Sequence, residues 1–472
     1  MESLKTDLLV IGAGSGGLSV AAGASQMGAK VILLEDHKMG GDCLNYGCVP
    51  SKALIASGKQ AYRMQHGAAF GVANAVPKVD YAAAKDHVNS VIETIAPVDS
   101  QERFEGLGVH VIRERGRFKD EKTVIAGDTE ITARRIVIAT GSSPFVPPIP
   151  GLDAVPYLTN ETLWELRDRP KHLLIIGGGP IGIEMAQAHL RLGSKVTVIE
   201  GETAMGKDDP ELAAIVLDRM RAEGMTIEEG ALAEKISGKA GAITVHAKDG
   251  RVFKGTHLLV AVGRAANVKD LQLEKAGVTY SRRGIDVDAS LRTSNRRVYA
   301  IGDVAGQLQF THVAGYHAGV VIRSILFGLP SKARQDHIPW ATYTDPELAQ
   351  VGLTEEQSRK EHGIYAEVYR FPYNENDRAI AEGKTTGLIK VMVVKGRPVG
   401  ASIVGANAGD LIGVWALAIA NRMKMSQIAA MVAPYPTLGE VNKRAAGAYF
   451  SPRLFDSPRV KQVVGFIQRF LP

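Results

Sequence analysis

Apolar residues along this chain fall into short blocks, and their order predicts more than any one block does. Asp7–Ile11 reads as a short strand, followed by an Ala-rich helical stretch and a second strand over Lys30–Leu34. The same order returns at Leu173–Ile176, with an amphipathic helix through Leu192 and a strand over Lys195–Ile199. Apolar runs near Val109–Ile112, Ile136–Ile138, His257–Val262 and Arg297–Ile301 predict further strands, and Val76–Glu105 reads as a polar-faced helix. Beyond Pro339 the pattern changes. Gly387–Val394 and Val399–Val404 read as alternating strands and Gly409–Asn421 as a long helix, as in a two-layer α+β unit.

Both strand-to-helix turns are rich in glycine: Gly12, Gly14 and Gly17 in the first, Gly177, Gly179 and Gly182 in the second. That spacing lets the backbone turn tightly, approach a pyrophosphate and pack the helix on the sheet, with the helix N–H groups facing the phosphates. Glu35 and Glu200 follow at the same distance from their first glycines and can each accept a ribose hydroxyl. Two such units predict two bound dinucleotides. Other strands end in Thr140-Gly141, Gly263-Arg264 and Gly302-Asp303, turns expected to reach the ligands. The fold class expected is α/β, with two Rossmann-like dinucleotide-binding domains and a C-terminal α+β domain. The first domain is discontinuous, 1–150 and 267–335; it encloses a second at 151–266, and 336–472 is expected to form the dimer.

Composition narrows the chemistry. The chain has 472 residues, enough for about three domains at roughly 150 residues each. Its net charge of +6 is scattered, which predicts neither nucleic acid nor membrane as a partner. The amino end lacks the basic start of a secretion signal, so a cytoplasmic location is expected. Val414–Ala420 falls far short of the roughly 20 residues that span a bilayer. Only Cys43 and Cys48 are present, too few for a disulfide scaffold and without the partners of a metal site; they matter, if at all, as a pair.

The segment Gly40-Gly41-Asp42-Cys43-Leu44-Asn45-Tyr46-Gly47-Cys48-Val49-Pro50-Ser51-Lys52 resembles the redox-active helix of the flavoprotein disulfide reductases, the class I pyridine nucleotide-disulfide oxidoreductases. That family includes dihydrolipoamide dehydrogenase, glutathione reductase and mercuric reductase, and the resemblance extends over essentially the whole chain. It implies FAD at the Gly12 fingerprint, with Gly41, Lys52, Thr140, Gly141 and Asp303 near it, and a nicotinamide dinucleotide at the Gly177 fingerprint. It implies an obligate homodimer and a Cys43–Cys48 redox disulfide, with Cys48 against the flavin and Cys43 toward the substrate. Lys52 corresponds to the family lysine near flavin N5, and Glu184 to its carboxylate partner. Glu200, with no arginine following, favours NADH, with NADPH as the alternative.

One segment departs from the family pattern. Where the dihydrolipoamide and glutathione branches carry His-Pro-Thr-x-x-Glu, contributed by the opposite subunit, this chain has Pro434-Tyr435-Pro436-Thr437-Leu438-Gly439-Glu440. Tyr435 stands at the histidine position and Glu440 keeps that of the orienting acid. A phenol is a poor base near neutrality, although it can donate a proton to a departing thiolate. The tyrosine and Val49 also resemble mercuric reductase, but Leu454–Pro472 holds no cysteine pair to receive a metal. His312 is a candidate stand-in for the missing histidine. The activity expected is transfer of a hydride from NADH to FAD, then to the cysteine pair and a small disulfide. The alternatives are a diaphorase passing electrons directly to a quinone or other acceptor, a mercuric-reductase-like or dihydrolipoamide-dehydrogenase-like activity, and a non-catalytic FAD- and NAD-binding interaction protein.

Overall fold

The computed structural model describes residues 2–470. Two compact units make up the chain. One runs to Ala68 and takes in Ala73–Glu202 and Glu228–Arg334; the other comprises Ala69–Val72, Thr203–Ile227 and the chain from Gln335 onward. Thr203–Ile227, which lies inside the stretch expected to form the second nucleotide domain, thus groups with the carboxyl-terminal unit.

The first unit carries two parallel sheets. In one, Val109–Ile112, Val31–Leu34, Glu2–Ile11 and Thr129–Ile138 lie side by side, all parallel. Val298–Ala300 returns from far along the chain to pair in parallel with Ile136–Ile138. In the other, Lys195–Ile199, His172–Ile176, His257–Val260 and Tyr157–Leu158 are parallel in that order. Leu8, Leu9, Val10, Leu173, Leu174 and Ile175 are all buried, as strands covered on both faces require. A crossover helix follows Glu2–Ile11 in the one sheet and His172–Ile176 in the other, at Ser15–Gln26 and Pro180–Arg191.

The carboxyl-terminal unit is built on an antiparallel sheet ordered Pro339–Thr342, Glu347–Gly352, Arg397–Gly405, Leu388–Val394 and Ala366–Pro372. Its core joins Ile389, Val391 and Ile403 to Trp415 and Val441 from the covering helices. The Trp415 indole N–H donates to Asn442 Oδ1 at 2.7 Å, so its one polar atom is paired inside that core.

Two predicted helices are broken. Val76–Glu105 contains a helix over Tyr81–Ile95, a 3-10 turn over Ala96–Asp99 and a second helix over Gln101–Gly106. Pro97 interrupts it, and Asp80 and Ser100 start the two helices afresh by accepting the N–H groups of Ala83 and Arg103. Gly409–Asn421 likewise divides into Ala408–Leu411 and Gly413–Ala420. Among the described residues no helix is long and apolar enough to cross a membrane.

Candidate functional site

The two glycine turns have matching geometries, and the three glycines of each do different work. A Cβ at Gly12, where φ is +104°, would sit 2.5 Å from the Ala139 carbonyl oxygen; at Gly17 it would sit 1.9 Å from the Gly12 oxygen. Both positions are therefore closed by the protein itself. At Gly14, the residue before the helix Ser15–Gln26, the nearest atom is 4.0 Å away, so this side of the turn faces open space. Gly177 and Gly182 repeat the closed positions, at 2.4 Å from Ala261 and 2.0 Å from Gly177, and Gly179 meets nothing within 4 Å. Backbone opened toward a ligand at the N-terminus of a long helix is the cradle a pyrophosphate needs. The residues present thus fit a dinucleotide at both turns.

The acids at the second strand ends brace these turns. Glu35 accepts the N–H groups of Ala13 at 2.7 Å and His37 at 2.8 Å; Glu200 accepts those of Gly178 at 2.6 Å and Glu202 at 2.9 Å. A carboxylate has about four acceptor positions, so each retains capacity for ribose hydroxyls.

The cysteine segment lies against the first cradle. Gly41, at φ +59°, comes so close to Gly14 that a Cβ would lie 2.7 Å from its Cα. Cys43 lies within the short helix Gly41–Asn45, and Cys48 is the first residue of the long helix Cys48–Gln65. Both are free thiols and hydrogen-bond to each other. Donation from Cys43 holds Cys48 down to about 6; burial opposes this, and the Thr311 hydroxyl, 3.3 Å from the sulfur, and the charge of Lys52 assist. The same hydrogen bond, with burial and the Cys48 charge, drives Cys43 far up. The pair is thus unequal, with Cys48 the more readily ionised of the two.

Thr311 begins the helix Thr311–Phe327, so two helix N-termini converge near the Cys48 sulfur. His312, the candidate stand-in, is exposed and its ring stacks on Phe310; its neighbour Thr311 is the residue that reaches Cys48. One turn along from Cys48, Lys52 Nζ donates to Glu184 Oε2 at 2.8 Å, and the carboxylate is almost wholly buried.

Arg264 joins the predicted loops into one cluster. It donates to the Ser142 hydroxyl at 2.7 Å and the Ser142 carbonyl at 2.6 Å, and lies 3.1 Å from Asp42 and 3.8 Å from Asp303. Ser142 donates to Asp303 at 2.5 Å, and burial raises the Asp303 carboxyl against that bond. Thr140 is locked to Asn267 by a hydrogen bond in each direction, at 2.8 and 2.9 Å. Gly141, Gly263 and Gly302 all have positive φ, at 68°, 139° and 67°, and a Cβ at either of the first two would meet nothing within 4 Å. Asn160 and Trp164 hold the turn between the cysteines, donating to the Tyr46 carbonyl at 3.5 and 2.9 Å. Thr311 and Ser142 were not singled out although each adjoins a residue the sequence marked, His312 and Gly141; Asn160 and Trp164 have no such neighbour.

In the carboxyl-terminal unit Tyr435 is exposed, and its hydroxyl donates to Asp377 Oδ2 at 2.9 Å. That bond, then the Asp377 charge, raises the phenol above its ordinary range. Asp377, another residue missed in the sequence, is thus the acid bonded to Tyr435; Glu440, the first residue of the helix Glu440–Phe455, adds a smaller electrostatic effect. Among the described residues no group of three His, Cys, Asp or Glu side chains is placed to hold a metal.

Residues 6–318 match the family described as pyridine nucleotide-disulphide oxidoreductase, and residues 338–446 match the dimerisation domain of that family. Mercuric reductase of Bacillus cereus is 34% identical over 446 residues, covering 93% of this chain and 70% of that protein. Dihydrolipoyl dehydrogenase of Geobacillus stearothermophilus is 34% identical over 456 residues, covering 94% and 96%. Among solved structures, the HOCl-induced flavoprotein disulfide reductase RclA of Escherichia coli aligns with a TM-score of 0.84 at 27% identity, covering 93% of this chain and 99% of that one. LpdA of Mycobacterium tuberculosis aligns with a TM-score of 0.87 at 26% identity, covering 94% and 99%.

Proposed function

This chain belongs to the pyridine nucleotide-disulphide oxidoreductases, homodimeric flavoenzymes that bind FAD and NAD(P)H, and from that premise we propose that it is a cytoplasmic NADH-dependent reductase of a small disulfide. The observation that carries the proposal is the unequal thiol pair: Cys48 poised as a thiolate at a helix start, Cys43 poised as its donor. Residues 1–150 and 267–335 would serve FAD, 151–266 the nicotinamide dinucleotide and 336–472 the dimer.

FAD, when bound, accepts the nicotinamide hydride and supplies two electrons to sulfur. The Gly12, Gly14 and Gly17 turn would hold its pyrophosphate, with Glu35 at the ribose and Gly41, Thr140, Gly141, Gly302 and Asp303 along the remainder. Gly177, Gly179, Gly182, Glu200, Gly263 and Arg264 would hold the nicotinamide dinucleotide. Glu200, followed by Gly201 and Glu202, offers a 2′-phosphate only negative charge, which supports NADH. Lys52 would hold positive charge at the electron-transfer centre, with Glu184 fixing its ammonium.

Two electrons and a proton open the Cys43–Cys48 disulfide to a thiol and a thiolate. Cys43 gives its proton to solvent and attacks one sulfur of the substrate; the other half leaves as a thiolate that Tyr435 protonates, the tyrosine regaining its proton from solvent. Cys48 then displaces the first half from Cys43 as a second thiolate, which takes a proton from solvent, and the disulfide is restored. The balance is NADH, a proton and RSSR giving NAD⁺ and two RSH. With its phenol raised, Tyr435 stays protonated at neutral pH, so it is present as a donor and not as the base that dihydrolipoamide oxidation requires, which supports the reducing direction.

Anaerobic mixing of the purified protein with NADH, followed by disulfides, quinones and mercuric ion, tests the proposal. A long-wavelength thiolate-to-flavin band discharged by a disulfide, and turnover that collapses in Cys43→Ser, are the expected results. Turnover with quinone that survives Cys43→Ser would replace the proposal with direct electron transfer. Failure of NADH to reduce the flavin would leave a binding protein.

A further inference from the structure

Net charge is scattered over the chain as a whole, but the last helix, Pro458–Phe470, concentrates it. Arg459, Lys461 and Arg469 are its charged residues, and it contains no acid. Val460, Val463, Val464, Ile467 and Phe470 recur at intervals of three and four, so they form one stripe along the helix. Phe466 borders the stripe, its ring 4.8 Å from that of Phe470. None of these residues is buried; Phe466 is 63% and Phe470 65% exposed. Leu454 and Phe455, also exposed, add apolar surface at the end of the preceding helix.

A strong apolar stripe, low overall hydropathy and purely cationic charge are the physical requirements of a helix that lies in the plane of a lipid surface. Charge discriminates between possible occupants. A second copy of this helix, which carries no acid, would offer these cations no counter-charge. An anionic headgroup layer would neutralise them while the acyl boundary takes up the valines and phenylalanines. We propose that Pro458–Phe470 docks the enzyme on the surface of an anionic phospholipid bilayer. The proposal is independent of which acceptor the cysteines reduce.

Flotation of the full-length, FAD-loaded protein with phosphatidylcholine vesicles, and with mixed phosphatidylglycerol–phosphatidylcholine vesicles, tests it. About tenfold more protein should float with the anionic vesicles, and high salt should release much of it. Val463→Asp combined with Ile467→Asp should abolish flotation, and Lys461→Gln combined with Arg469→Gln should remove the preference for phosphatidylglycerol. Mass by light scattering and flavin reduction by NADH should be unchanged in both variants. Equal or absent flotation of the unaltered protein on the two vesicle types overturns the proposal without any variant being needed. Dissociation of the dimer by the aspartates would also overturn it, assigning the stripe to a second copy.

Discussion

Cys43 and Cys48 are chemically alike in the unfolded chain, and their difference arises from neighbours. Donation from Cys43, opposed by burial and aided by Thr311 and Lys52, puts the Cys48 thiolate midpoint near pH 6. Because the folded value lies below the unfolded one, the stability this thiolate adds is complete above the ordinary thiol range and is lost as pH falls through about 6. Thiolate ultraviolet absorbance of the reduced protein should therefore titrate near pH 6 and vanish in Cys48→Ser. Thr311→Val should move the midpoint up by about one unit, since a hydrogen bond to a charged group contributes about 1.5–3 kcal/mol. An unmoved midpoint would remove Thr311 from the site. Tyr435→Phe should slow disulfide reduction by about tenfold or more and leave flavin reduction by NADH unchanged, because only the former requires its proton. Stopped-flow measurement of the two half-reactions separates them, and equal slowing of both would end the donor assignment.

At the scale of elements, the two strand–turn–helix units make separable predictions about their glycines. Gly17→Ala and Gly182→Ala place a methyl on a backbone oxygen and should cost about 1–3 kcal/mol of stability, read by thermal unfolding. Gly14→Ala and Gly179→Ala meet no protein atom closer than 4.0 Å, so the fold should tolerate them while ligand affinity falls. Gly14→Ala should weaken FAD retention, and Gly179→Ala should raise the KM for NADH with the visible flavin spectrum intact. If Gly14→Ala retained FAD normally, no pyrophosphate could approach that turn.

The whole chain raises the question of what holds a distant segment in the carboxyl-terminal unit. Lys390, buried in the antiparallel sheet, lies 2.8 Å from Asp209, 2.7 Å from Glu211 and 3.0 Å from Glu355. Arg370 bridges the same two glutamates at 2.8 and 2.6 Å. Asp209 and Glu211 open the helix at Pro210–Ala222, so this network fastens Thr203–Ile227 to the sheet. Burial works to raise Glu355, but hydrogen bonds from Lys390 and Arg359 hold it down to about 2. Burial works to lower Lys390, but its three carboxylate partners leave it raised. Glu355 therefore loses its contribution to stability as pH falls from the ordinary carboxylate range toward 2, and Lys390 loses its own only as pH climbs past the ordinary lysine range. Lys390→Met strands the buried Asp209 and should cost about 3–5 kcal/mol, seen as a lower midpoint of denaturant unfolding at neutral pH. A midpoint unchanged by that substitution would show the network to be replaceable.

The amino-acid sequence by itself determined the two dinucleotide turns, the cysteine pair and the change of architecture after Pro339. Each is carried by neighbours in the chain, through glycine spacing, strand-length apolar runs or a cysteine motif. Helix lengths were less legible, because Pro97 and local caps at Asp80 and Ser100 overrode an apolar pattern that continued across them. The family resemblance already set Cys48 toward the flavin and Cys43 toward the substrate; the tertiary structure added Thr311, which reaches Cys48 from 263 residues away and assists the hydrogen bond from Cys43. Only the tertiary structure decided that Arg264 gathers Asp42, Ser142 and Asp303, and that Tyr435 bonds to Asp377. The physical reason is the same in each case. A backbone turn is set by the conformations open to a few consecutive residues, whereas a side chain's charge depends on which donors and acceptors folding brings within about 3 Å of it.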